Sequence, residues 1–141
     1  MGTQSYEVEL DRTADGLRVR SKAREFTVEL GAHRADPAAG FNAVETLLSA
    51  VGSCFSTSFA MVAELSHVAV GKLKVRVSAV RQDRPPLLTS IRYSAFIETD
   101  ADDAKVARLV GLAERNSTVI GTLRGAVPLS GEWRRYGKTV E

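Results

Sequence analysis

Polar and apolar residues alternate through the opening segment SYEVELDRTADGLRVRSKAREFTVEL, placing Tyr6, Val8 and Leu10 on one face. A period of two marks a half-buried strand. Asp15-Gly16 is a hairpin signal, after which Leu17 and Val19, and then Phe26, Val28 and Leu30, resume the alternation. The pattern predicts two or three antiparallel strands. GAHRADPAAGF then reads as a loop, with Gly31, Pro37 and Gly40 as breakers.

From Asn42 the period changes. The Asn42 side chain is placed to cap a helix, and Glu45 three residues on completes an asparagine version of the capping box. Helical character runs to about His67, roughly 25 residues and about 37 Å at 1.5 Å per residue. Thr46 to Ala63 contains 18 residues without a charge. That length reaches the threshold for a membrane span. However, Ser49, Ser53, Ser56, Thr57 and Ser58 dilute the segment, and its flanks are Glu45 and Glu64 rather than a cluster of Lys and Arg. The expectation is a buried helix of a soluble protein, with no membrane as partner. Apolar nearly all round, such a helix needs cover on every side, and in a chain of this size a second subunit is expected to supply part of it.

KLKVRVSAVRQ alternates again, RPP interrupts it, and LLTSIRYSAFIET gives another strand. Asp100 to Asp103 start a second helix with Val106, Leu109, Val110 and Ala113 on one face. STVIGTLRG predicts a short third helix capped by Ser117, and AVPLSGEWRRYGK a closing edge strand. The order β-β-(β)-α-β-β-α-α-β describes an α+β protein, with a mostly antiparallel sheet around one long buried central helix. No linker or repeat divides residues 1–141, so one domain is expected.

Composition narrows the function classes. Hydrophobic residues make up 44%, charged residues 26%, and the net charge is +2 with no run of five like charges. Nucleic acid is therefore not expected as a partner. The N-terminus is too polar for a signal peptide. Cys54 is the one cysteine, which excludes an intrachain disulfide and a cysteine-rich zinc site and fits a reducing cytoplasm. Neither a metal nor another cofactor is expected.

AVETLLSAVGSC, the paired strands with RPPLLTSIRYSAFIE, and LVGLAERNSTVIGTL together resemble the OsmC/Ohr family of thiol peroxidases and their relatives. In the family's first motif, Pro-x-Glu-Leu-Leu-Leu-Ala-Ala-x-Gly-Ser-Cys, the residues Glu45, Leu47, Leu48, Ala50, Gly52, Ser53 and Cys54 fall in register. The resemblance implies an OsmC-like fold, an intertwined homodimer, and a cysteine near the subunit interface whose thiolate reduces organic hydroperoxides. It also implies an arginine and a glutamate that activate that thiolate. Three departures stand out. Ser117-Thr118-Val119-Ile120-Gly121-Thr122-Leu123 occupies the place of the family's Cys-Pro-Val-x-x-Thr-Leu, so the resolving cysteine is absent. Ala43 replaces the first motif's proline. Val44 holds the position of the hydroperoxide-resistance branch's glutamate, and Glu45 falls one place later, as in other OsmC-like relatives. The chain resembles a one-cysteine OsmC-like protein.

Without the family, Cys54 has two readings: core filler, or nucleophile. A nucleophilic thiolate needs a cation or strong donor nearby. On a straight helix Glu45 lies about 13 Å along the axis from Cys54 and on the opposite side. It would act across an interface or by holding a distant arginine. Of the arginines in the first hairpin, Arg12 and Arg18 flank the turn and are the first candidates; the alternative for each is a solvated sheet-edge residue. His67, about 20 Å along the helix from Cys54, is excluded as its partner. His33, in the preceding loop, reads as an exposed loop residue. Leu48, Phe55 and Phe59 are candidates to line an apolar substrate pocket. Ser117 is a helix cap, a pocket-lining hydroxyl, or both. The expected function is reduction of small organic hydroperoxides through Cys54, with an external thiol as reductant, in the response to oxidative or osmotic stress. The rival is a non-catalytic dimer binding a small apolar ligand in its interface cleft.

Overall fold

A computed structural model of the chain describes residues 2–32 and 36–137. Its contacts divide the chain into two compact units, Met1–Leu47 and Leu48–Glu141.

The first unit holds an antiparallel sheet of β1 (Glu9–Arg12), β2 (Arg18–Ala23) and β3 (Phe26–Gly31). The Asp15-Gly16 hairpin forms as the sequence predicts. Gly16 takes a φ of 74°, the Thr13 hydroxyl donates to Asp15 at 2.6 Å, and the Asp15 carboxylate accepts from the Leu17 amide. These bonds, the Thr13 one foremost, hold the Asp15 carboxyl below its ordinary value. Leu10 pairs with Ser21 and Ser21 with Val28, while Ala23 pairs with Phe26. Since side chains alternate in a strand, Leu10, Val28 and Phe26 share one face. All three remain exposed, Phe26 at 69%. A 3₁₀ turn (Pro37–Ala39) follows, a feature the predicted loop did not include.

The long helix α1 (Ala43–Leu65) starts in the first unit and continues into the second. Its predicted capping box is present: the Glu45 amide donates to Asn42 Oδ1 at 2.8 Å, and the Asn42 amide to Glu45 Oε1 at 3.0 Å. The helix stops two residues short of the expected His67. His67 adopts a φ of 56°, its amide reaches the Glu64 carbonyl, and the Val68 amide reaches that of Ala63. This is the Schellman arrangement, which ends a helix with a left-handed residue even when that residue is not glycine.

The second unit carries β4 (Leu73–Gln82), β5 (Leu87–Ile97) and β6 (Leu129–Arg135), with α2 (Asp103–Arg115) and α3 (Thr118–Arg124) between β5 and β6. Asp102 caps α2, accepting from the Lys105 amide at 2.8 Å. The α+β class and the mostly antiparallel pairing are as expected, but the strands form two three-stranded sheets rather than one. The edge strand β6 runs parallel to β5. Two intervening helices carry the chain back to the starting end of β5, as a parallel pairing requires.

Ile91, Tyr93, Ala95 and Ile97 point from β5 into the core. They are buried with Val51, Phe55, Phe59 and Val62 of α1, with Val106, Leu109, Val110 and Ala113 of α2, and with Ile120 of α3. Each buried phenylalanine contributes about 2–3 kcal/mol. At the centre, the Tyr93 ring stands 4.7 Å from that of Phe55 and directly opposite Gly131 in the β5–β6 register. A Cβ at Gly131 would fall 2.0 Å from the Tyr93 ring, so the glycine makes the room that the ring fills. Gly131→Ala is therefore expected to lower stability by about 1–3 kcal/mol, read as a lower denaturation midpoint; an unchanged midpoint counts against this packing.

Candidate active site

Six α1 side chains are buried: Val51, Phe55, Ser58, Phe59, Val62 and Ala63. At about 100° per residue they span about 140° of the helix circumference. Cys54 is half-buried and lies about 40° beyond the Ser58 edge of that arc. Its thiol sits at a boundary, with core on one side and the exposed Thr57 and Met61 on the other.

Ser58, one turn after Cys54 and on the same face, is among the buried polar side chains. Its hydroxyl donates to the Asn116 carbonyl at 3.2 Å. The turn that it meets is the cap of α3. Ser117, only 2% exposed, accepts from the Ile120 amide at 3.3 Å. Ser117 thus caps α3, and its turn is docked one helical turn from the cysteine.

A partly exposed network that starts from the buried Tyr93 also meets this turn. The Tyr93 hydroxyl donates to Glu114 Oε2 in the last turn of α2, and Glu114 lies 3.5 Å from the Arg124 guanidinium. Burial first, and then the Glu114 carboxylate, push the Tyr93 phenol well above the ordinary tyrosine value, so it stays a proton donor. The Glu114 main-chain carbonyl accepts from the Ser117 amide at 3.2 Å.

A separate cavity of about 400 Å³ runs along α1 and the start of β4, lined by Ser56, Phe59, Ala60, Ala63, Glu64, Val68 and Leu73 among others. Ser56, Phe59, Ala60 and Ala63 stand about 120–180° around the helix from Cys54. This space opens on the far side of α1 from the sulfur.

The OsmC family profile, described as OsmC-like protein, matches residues 35–132. The chain belongs to the OsmC-like family. No curated protein matches the chain at a significant level. Among solved structures, an OsmC-like protein from Mycoplasma pneumoniae superposes with a TM-score of 0.87 at 17% identity, covering 95% of this chain and 99% of that one. The organic hydroperoxide resistance protein OsmC of Legionella pneumophila gives 0.75 at 14% identity, covering 94% and 98% respectively. The organic hydroperoxide resistance protein OhrB of Bacillus subtilis gives 0.67 at 18%, covering 93% and 98%. At these identities the likeness is one of fold.

On this OsmC-like frame the candidate residues fall into two groups. Arg12, Arg18 and Glu45 belong to the first unit. Arg12 Nη2 donates to the Gly16 carbonyl of its own turn at 3.0 Å, and Arg18 Nε to the Ala39 carbonyl at 3.0 Å. Glu45 serves the capping box. Cys54, Leu48, Phe55, Phe59 and Ser117 belong to the second. Phe55 is fully buried, 5.9 Å from Phe59 and against Tyr93, so its ring is core. Phe59 is buried too and reaches the cavity, while Leu48 packs on the core's edge. His33 lies outside the described residues, and His67 is the left-handed residue that ends α1.

Sequence reasoning missed Ser58 and the Tyr93–Glu114–Arg124 network. The i, i+4 spacing of Cys54 and Ser58 was a usable signal for the first. No sequence signal joins Tyr93 to Glu114, which meet only through the packing of α2 on β5. Removing the cap with Ser117→Ala is expected to cost about 1 kcal/mol, seen as a melting point about 2–4 °C lower; no loss would mean that the hydroxyl does not cap α3.

Proposed function

We propose that this OsmC-like protein is a thiol-dependent peroxidase that reduces small organic hydroperoxides through Cys54, working as a cytoplasmic homodimer in stress defence. The observation that carries the reading is the sulfur's position. It is half-buried at the edge of the core, one turn from a serine bonded to the turn where the family's second cysteine would stand. An inert filler belongs inside the arc, and a working thiol at its rim.

In the first step the Cys54 thiolate attacks the terminal peroxide oxygen. An S–O bond forms as the O–O bond breaks, sulfur gives up two electrons, and the departing alkoxide takes a proton from water to become the alcohol. The cysteine is left as a sulfenic acid. Ser117 cannot condense with it, so an external thiol attacks the sulfenic sulfur and releases water, and a second external thiol displaces Cys54 from the mixed disulfide. The sum is one hydroperoxide and two thiols giving one alcohol, one water and one disulfide. Arg12 and Arg18 remain the candidates to favour the thiolate. Each donates one bond to a main-chain carbonyl, which leaves further guanidinium N–H groups for a thiolate or peroxide of a second copy.

Support for the homodimer comes from two exposed surfaces. Leu10, Phe26 and Val28 form an uncovered apolar face on the first sheet, and Met61 and Leu65 stand exposed on α1. Apolar faces of this kind mark association surfaces. Light scattering on the purified protein is expected to give twice the chain mass; a single-chain mass ends this part of the reading.

The cavity beside Phe59, Ala60 and Ala63 favours a second reading, a binding protein for a small apolar molecule. Consumption of tert-butyl hydroperoxide with dithiothreitol as reductant separates the two. The wild type is expected to turn over, and Cys54→Ser to fall to the buffer background. Ser117→Cys is expected to lose both thiols to an internal disulfide after one equivalent of peroxide. A wild-type rate equal to that of Cys54→Ser overturns the peroxidase reading and leaves the binding protein.

A further inference from the structure

We propose that Tyr93, Glu114 and Arg124 form a clamp that sets the access of small molecules to Cys54, by holding the Asn116–Ser117 turn against the helix that carries the thiol. The proposal rests on Cys54 being the working thiol, and it adds positioning residues that touch neither sulfur nor substrate.

Three connections meet in Tyr93. Its ring packs 4.7 Å from Phe55, the residue next to Cys54. The ring also fills the space that Gly131, its cross-strand partner, leaves open. Its hydroxyl bonds to Glu114, which lies 3.5 Å from Arg124. Glu114 and Arg124 stand on opposite sides of the Asn116–Ser117 turn in the chain, one on α2 and the other on α3. Their ion pair therefore closes the corner between the two helices, and Tyr93 anchors that corner to the sheet. Out of the same corner comes the Asn116 carbonyl that Ser58 holds at 3.2 Å.

The arrangement is more than a corner fastening. A tyrosine only 2% exposed whose only task was packing would be served by phenylalanine. Here the hydroxyl is spent on a carboxylate that is itself partly exposed and paired with a cation. A charged acceptor makes a hydrogen bond stronger than a neutral one does, and shielding from water strengthens it further. The path from the Tyr93 hydroxyl to the cysteine helix is continuous: Glu114 side chain, Glu114 carbonyl to Ser117 amide, Asn116 carbonyl to Ser58 hydroxyl, and one helical turn to Cys54. Release of the clamp frees the turn from the face that Cys54 shares with Ser58.

The test reads the rate at which iodoacetamide alkylates Cys54 in the intact protein, which needs no peroxidase activity. Tyr93→Phe keeps the ring and removes the hydroxyl, while Glu114→Gln keeps the side-chain shape and removes the pair with Arg124. Leu129→Ala, a core truncation on β6, serves as a control for lost stability. Both clamp variants are expected to alkylate about three- to tenfold faster than wild type at 25 °C, well below their melting points. Leu129→Ala is expected to stay within about twofold of wild type even when its melting point falls as far. Clamp variants that melt lower but alkylate at the wild-type rate overturn the proposal, because a purely structural role predicts that result. So does acceleration matched by Leu129→Ala, which would mean general loosening. If Tyr93→Phe fails to fold, Glu114→Gln alone decides by the same comparison. A missing peroxidase activity with accelerated clamp variants would sink the proposed function and leave the clamp standing.

Discussion

One constraint governs the second unit: α1 has more apolar circumference than its own chain covers. Val51, Phe55, Phe59, Val62 and Ala63 dock on the β4–β5–β6 sheet and its helices, whereas Met61 and Leu65 do not. Burying the first group organises the core. The step from buried to exposed creates a rim, and the cysteine sits on that rim.

Tyr93 is the second organising residue. It joins a glycine on β6, a phenylalanine on α1 and a carboxylate on α2. The glycine and the tyrosine are complementary: one leaves out a side chain and the other fills the space. The polar end of the same side chain then holds the corner that carries Ser117. One residue thus serves both: its ring packs the core and its hydroxyl bonds Glu114.

The arginines of the first hairpin have local work as well. Arg12 braces its own turn, and Arg18 ties β2 to the 3₁₀ turn ahead of the α1 cap. A guanidinium has five donors in a planar fork, so one bond to a carbonyl fixes its position without exhausting it. The sheet that carries them also presents Leu10, Phe26 and Val28 outward.

Much of this was legible in the amino-acid order. The Asp15-Gly16 hairpin, the Asn42–Glu45 box, the Ser117 cap and the alternation of β4 and β5 are local, since residues within four positions of each other settle them. The family was legible as a resemblance carried by the segments around Cys54, β5 and the α2–α3 turn, and the family profile matches residues 35–132. Other features depended on contacts between distant segments. These are the split into two sheets, the parallel course of β6, and the meeting of Tyr93 with Glu114 and Gly131. Periodicity tells which face of an element is apolar but not what it packs against. For α1, apolar on nearly every side, it could not say which side the chain would bury, and that choice places the sulfur at the core's edge.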